Sequence, residues 1–83
     1  MWKYTVDVQG MMCGMCEAHT NDAVRKAFSV KKVTSSHSKG QTVILTEQEL
    51  DEDLLKKTIK DLGYDVGGIQ KVPYHKKGLF GIF

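Results

Sequence analysis

The hydrophobic period of this chain changes abruptly at residue 10, and that change constrains the fold more than any other feature. Residues 2–9, WKYTVDVQ, put Trp2, Tyr4, Val6 and Val8 on one side of an extended chain and Lys3, Thr5, Asp7 and Gln9 on the other. Period-two alternation is the pattern of a strand with one buried face. Gly10 ends it. From about Met15 to Phe28 the spacing is helical, with Ala18, Ala23, Val24, Ala27 and Phe28 in an apolar stripe. Glu17 suits the positive start of such a helix, and Arg25 and Lys26 suit its end.

The remaining segments follow the same logic. Val30 and Val33 open a rather polar strand, Ser38-Lys39-Gly40 reads as a turn, and Val43 to Leu45 form a stronger strand, so this stretch is a hairpin. Leu50, Leu54, Leu55, Ile59 and Leu62 fall at helical spacing behind a run of acids, with Gly63 as the stop. YDVGGIQKV is a last strand in which Gly67-Gly68 mark a bulge or bend, and Pro73 ends it. The order is βαββαβ. The expected fold is therefore α+β, a ferredoxin-like sandwich with two helices on one face of a four-stranded antiparallel sheet. Residues 1–73 form the domain and residues 74–83 a short C-terminal tail. At 83 residues the chain has room for one small core, to whose stability a bound metal would contribute noticeably.

Composition removes several function classes. Twelve basic residues against ten acidic leave a formal charge of +2, with no basic stripe interleaved with aromatics, which argues against nucleic-acid binding. The alternating N-terminus is unlike a secretory signal, and no run approaches the ~20 apolar residues of a spanning helix. The chain reads as cytoplasmic, where thiols stay reduced. No carboxylate pair, nucleophile–base pair or phosphate loop is evident, so an enzyme is not expected.

The chemistry concentrates in GMMCGMC, residues 10–16, where Cys13 and Cys16 are the only cysteines. Cys13 falls in the loop after the first strand and Cys16 at the start of the first helix. Free amides and partial positive charge at a helix start favour thiolates, and Gly14 is expected to let the loop turn so that both sulfurs face one site. Two thiolates make the two-coordinate or loose three-coordinate environment that suits Cu(I), whereas a closed structural zinc site takes four ligands. Two other uses stay open: thiol–disulfide redox chemistry, and a structural disulfide or inert core pair. A thioredoxin-like oxidoreductase has the CxxC spacing, but its fold needs another strand and helix after the proline, and only residues 74–83 follow Pro73.

Gly10-Met11-Met12-Cys13-Gly14-Met15-Cys16, following a strand and opening a helix, resembles the GMxCxxC motif of heavy-metal-associated domains. These are small copper chaperones, bacterial ones included, and the N-terminal metal-binding modules of metal-transporting P-type ATPases. The likeness extends to DAVRKAF, the hairpin and LGYDV, over roughly residues 3 to 72. The resemblance implies metal carriage by handover, in which a partner's cysteines attack the bound ion and ligands exchange one at a time. Cys13 and Cys16 match the family's two ligands. Met11 matches a methionine that packs beneath the metal loop, and Tyr64 stands where bacterial members keep an aromatic near it. Met12 and Met15 read as packing or exposed side chains rather than ligands. His19, one helical turn after Cys16, is a candidate third ligand or a neighbour that tunes Cys16, against the plainer reading of a surface histidine. His37 and His75 read as solvated. Thr20 stands where relatives bury Val or Ile, and Ser35 likewise softens the second strand.

Zinc-handling relatives often place an acid before the first cysteine. Here that residue is Met12, which favours Cu(I), with Ag(I), Hg(II), Zn(II) or Cd(II) as alternatives. The expected function is a metallochaperone that passes Cu(I) to a metal-transporting P-type ATPase or a metal sensor. The alternative is a regulatory or interaction module whose contacts follow its metal state. Lys26, Lys31, Lys32 or the acidic start of the second helix would serve electrostatic docking. The expected state is a monomer, or a dimer bridged by a shared ion. In the tail, Lys76 and Lys77 precede Leu79, Phe80, Ile82 and Phe83, a segment expected to pack back on the domain or to touch a membrane or partner weakly.

Overall fold

The computed structural model describes residues 1–74, so the expectations for His75 and the tail lie outside the described residues. The elements run β1 (Trp2–Gln9), α1 (Gly14–Ala27), β2 (Lys32–Ser36), β3 (Gln41–Thr46), α2 (Glu52–Lys60) and β4 (Asp65–Pro73). The sheet order is β2-β3-β1-β4, antiparallel throughout. The expected ferredoxin-like arrangement is therefore present. β1, with the cleanest alternation, takes a central position and pairs with both β3 and β4. α1 packs toward β2, α2 toward β4, and the helices touch each other.

The core lies between helices and sheet. Tyr4, Val6 and Val8 of β1, Val33 of β2 and Ile44 of β3 meet Val24 of α1, Leu55 and Ile59 of α2, and Met11. Burying each such Val, Leu or Ile contributes roughly 1.5–3 kcal/mol relative to leaving it exposed. The helical stripes are narrower than their periodicity suggests. In α1 only Thr20 and Val24 are fully buried, while Ala18 and Ala27 face solvent. In α2 Leu55 and Ile59 are buried, whereas Leu54, and Leu62 just beyond the helix, are exposed. A short helix lying on one face of a twisted sheet covers little more than one i, i+4 row.

Polar side chains inside this core are all paired. The Tyr4 hydroxyl accepts from the Leu50 amide at 2.8 Å, anchoring the connection into α2. Ser35 donates to Asn21 Oδ1 at 2.7 Å and lies 2.9 Å from the Thr42 hydroxyl, joining α1, β2 and β3. The softness expected at Ser35 is thus a hydrogen-bonded link between layers. The expected irregularity at Gly67-Gly68 is a register shift against β1 between Val6 and Val8. The Asp7 carboxylate fills the space there: a Cβ on Gly67 would lie 2.5 Å from its Oδ2.

Candidate metal centre

The turn out of β1 depends on Gly10, whose φ of +111° lies in the region that disfavours any side chain. A Cβ there would also press to 3.1 Å against the Tyr64 ring, so this glycine permits the approach of the α2–β4 connection to the loop. Met11 then turns inward and is only 6% exposed. Met12, Cys13, Gly14 and Met15 are all exposed, with Met12 and Met15 among the most accessible large apolar side chains. Gly14 does not supply the turn expected of it. It is the first residue of α1, has no positive φ, and a Cβ on it would meet nothing.

Cys13 is the residue that caps α1 at its start, in extended conformation (φ −164°, ψ 179°), and its side chain makes no capping hydrogen bond. Its carbonyl accepts from the amides of Cys16 at 3.1 Å and Glu17 at 3.2 Å, which launches the helix. The helix turn brings the two sulfurs to one side, Sγ to Sγ at 4.0 Å. Both cysteines are free, Cys13 exposed and Cys16 half-buried against the core. The separation is about twice the length of a disulfide bond.

The Cys16 thiol is lowered from its ordinary value to about 7. The backbone N–H of Met12 is the largest cause and the Tyr64 hydroxyl the next; burial opposes them, and the thiol and amide of Cys13 add smaller donations. The donating amides belong to Met12 and Cys13, just ahead of the helix. Tyr64 is raised in turn, first because its hydroxyl is engaged with Cys16. Tyr64 is half-buried and packs on the core.

The structure separates the other candidates. His19 is exposed on α1, and among the described residues no three His, Cys, Asp or Glu side chains cluster as a metal-holding group. His37, expected to be merely solvated, is engaged with α1. Its Nδ1 lies 2.6 Å from Glu17 Oε2, and its backbone N–H donates to the same oxygen at 2.8 Å. The Glu17 carboxyl is lowered chiefly by that amide bond. Twenty residues separate the pair in sequence, so no local spacing announces it. The Thr20 hydroxyl, also unforeseen, donates to the Cys16 carbonyl at 2.9 Å and lies 3.7 Å from Met11 Sδ.

No protein-family model matches the chain. Among characterised proteins it is 31% identical over 72 residues to a mercuric reductase of Lysinibacillus sphaericus, a match covering 87% of this chain and 13% of that protein. The chain thus spans about an eighth of the length of that relative. Among solved structures it superposes on the CopZ metallochaperone with a TM-score of 0.72 and 26% identity, covering 78% of this chain and 98% of that one. A copper binding domain from HMA7, a P-type ATPase, gives a TM-score of 0.69 at 23% identity, covering 88% and 96%. With a ferredoxin-like sheet, and a cysteine pair at the turn from first strand to first helix, the chain has the fold of these metal-binding domains and is similar to the heavy-metal-associated domain family.

Proposed function

We propose that this chain carries a soft metal ion, Cu(I) foremost, on Cys13 and Cys16 and hands it to a partner by thiolate exchange. The observation that carries the reading is the pair of free sulfurs 4.0 Å apart where an exposed loop enters α1, one of them with its thiol lowered to about 7. With metal–sulfur bonds of about 2.3 Å, one ion spans that gap at an angle of roughly 120°. Such an angle leaves an open side toward solvent, where a third thiolate has room to approach.

In the exchange, an incoming thiol gives up its proton and its sulfur bonds the ion. One of the two cysteine–metal bonds then breaks, and the released thiolate takes up a proton. The exposed Cys13 suits the first departure, because nothing has to move to uncover it. Cys16, half-buried against the core, suits the second. No oxidation accompanies the transfer, and the chain acts as a carrier rather than an enzyme.

The soft neutral Met12 before Cys13 supports Cu(I) over Zn(II) and Cd(II), and Ag(I) would bind alike. Similarity to a mercuric reductase favours a second reading, Hg(II) as cargo. The fitting partner is a metal-transporting P-type ATPase or a metal sensor, met in the cytoplasm by a monomer or through an ion shared between two copies. No helix among the described residues is long and apolar enough to cross a membrane. Anaerobic competition titrations against Cu(I), Zn(II) and Hg(II) chelators test the assignment. One Cu(I) per chain, out-competing Zn(II) widely, is expected; Zn(II) preference, or no binding, overturns it. Sustained insulin reduction with a thioredoxin reductase would point instead to the redox alternative.

A further inference from the structure

Residues 12–15 form an exposed tetrapeptide whose side chains contribute nothing to the core. It is held at its two ends, by Met11 (6% exposed) on the strand side and Cys16 (half-buried) on the helix side. Thr20 lies beneath it with no exposed surface. Its hydroxyl donates to the Cys16 carbonyl at 2.9 Å and is within 3.7 Å of Met11 Sδ, so one buried oxygen reaches both ends of the loop. A threonine inside a helix commonly satisfies its hydroxyl on the carbonyl four residues back, and that bond alone would be a local matter. The hydroxyl has one hydrogen, shared between that carbonyl and Met11 Sδ, and the sulfur contact links segments nine residues apart.

We propose that Thr20 is a positioning residue that ties Met11 to Cys16 and thereby sets the spacing of the Cys13 and Cys16 sulfurs. The inference rests on the carrier reading above. Valine matches threonine in shape but not in polarity, so Thr20→Val removes the tie while keeping the volume filled. A loop freed at its base lets the two sulfurs drift apart, and a bound ion then meets an attacking ligand sooner.

The test uses wild type, Thr20→Val, Thr20→Ser and Met11→Leu. In the metal-free protein, amide hydrogen exchange at residues 12–15 is compared with that at Val6 and Val8. In the Cu(I)-loaded protein, stopped flow follows transfer to bathocuproine disulfonate. Thr20→Val is expected to speed both loop exchange and metal transfer by roughly threefold to tenfold, the scale of one lost hydrogen bond. The β1 amides should stay unchanged and Thr20→Ser should restore wild-type rates. Met11→Leu, which removes the sulfur and keeps a similar apolar volume, should reproduce the effect, and the double variant should add little to it. Wild-type rates in Thr20→Val, failure of the serine rescue, or full additivity overturns the proposal. A wild-type protein that binds no Cu(I) defeats the carrier reading instead, and the exchange measurement on the metal-free loop still decides the tie.

Discussion

The two helices begin in opposite ways. α2 starts at Asp51, whose Oδ1 accepts from the amides of Asp53 at 3.0 Å and Leu54 at 3.3 Å, with Glu52 and Asp53 adding negative charge to the first turn. Its end is closed by the chain itself. α1 starts at Cys13, which offers no side-chain cap, and Glu17 is the one acid of its first turn. Glu17 is turned to His37 in the hairpin. The amides of Met12 and Cys13 instead lower the Cys16 thiol. One helix start is built to stabilise the helix, and the other keeps its polar groups for sulfur. A capping side chain is worth about 1 kcal/mol, so α1 forgoes a modest stabilisation for a reactive pair.

Substitutions at the two starts break or sharpen this contrast. The largest effect is expected from Cys13→Ser, and equally Cys16→Ser: loss of tight Cu(I) binding, read by chelator competition. Cys13→Ser also supplies a good cap, so the metal-free protein should gain a few tenths to about 1 kcal/mol in urea unfolding. A loss of stability there would contradict the trade described. Asp51→Ala should do the reverse, destabilising by about 1 kcal/mol and leaving Cu(I) affinity unchanged.

Smaller effects follow from the donors around the site. The rate of Cys16 alkylation in Cys13→Ser/Tyr64→Phe, compared with Cys13→Ser alone, should reach half its maximum at higher pH. Removing the Tyr64 hydroxyl takes away a group that lowers the thiol, so its value rises. An unmoved midpoint would show that the hydroxyl is idle. The smallest change concerns Glu17→Gln. The folded carboxyl lies below its ordinary value, so its contribution is present above the unfolded value of about 4.5 and fades as pH falls through the folded one. Unfolding curves should therefore differ between wild type and variant at pH 7 and converge in acid. A gap that persisted at low pH would mean the glutamine disturbs packing rather than charge.

Much of the architecture was legible in advance because each element carries its own period. The alternation of Tyr4, Val6 and Val8 marks β1, and the Leu55–Ile59 row marks α2. The position of Cys13 and Cys16 between strand and helix was legible for the same reason, since both neighbours are local. Stripe width was not. Ala18, Ala27 and Leu54 share their helices' apolar spacing yet face solvent, because burial depends on how a helix lies on the sheet. Thr20 read as a softened core position, and its approach to Met11 emerged only when loop and helix were packed together.

The sequence by itself determined the order of elements, the sulfurs' place at the first strand-to-helix turn, and the neutral Met12 in place of an acid just before Cys13. All of these reside in stretches of ten or so residues, where periodicity and turn chemistry act. Tertiary structure alone decided which groups surround the sulfurs. It brings Tyr64 up against the loop at Gly10, sets His37 against Glu17, and seats the Thr20 hydroxyl between Met11 and the helix. The physical reason is that a hydrogen bond needs atoms within about 3 Å. For residues distant in sequence, only the packing of two helices on one sheet face brings them that close.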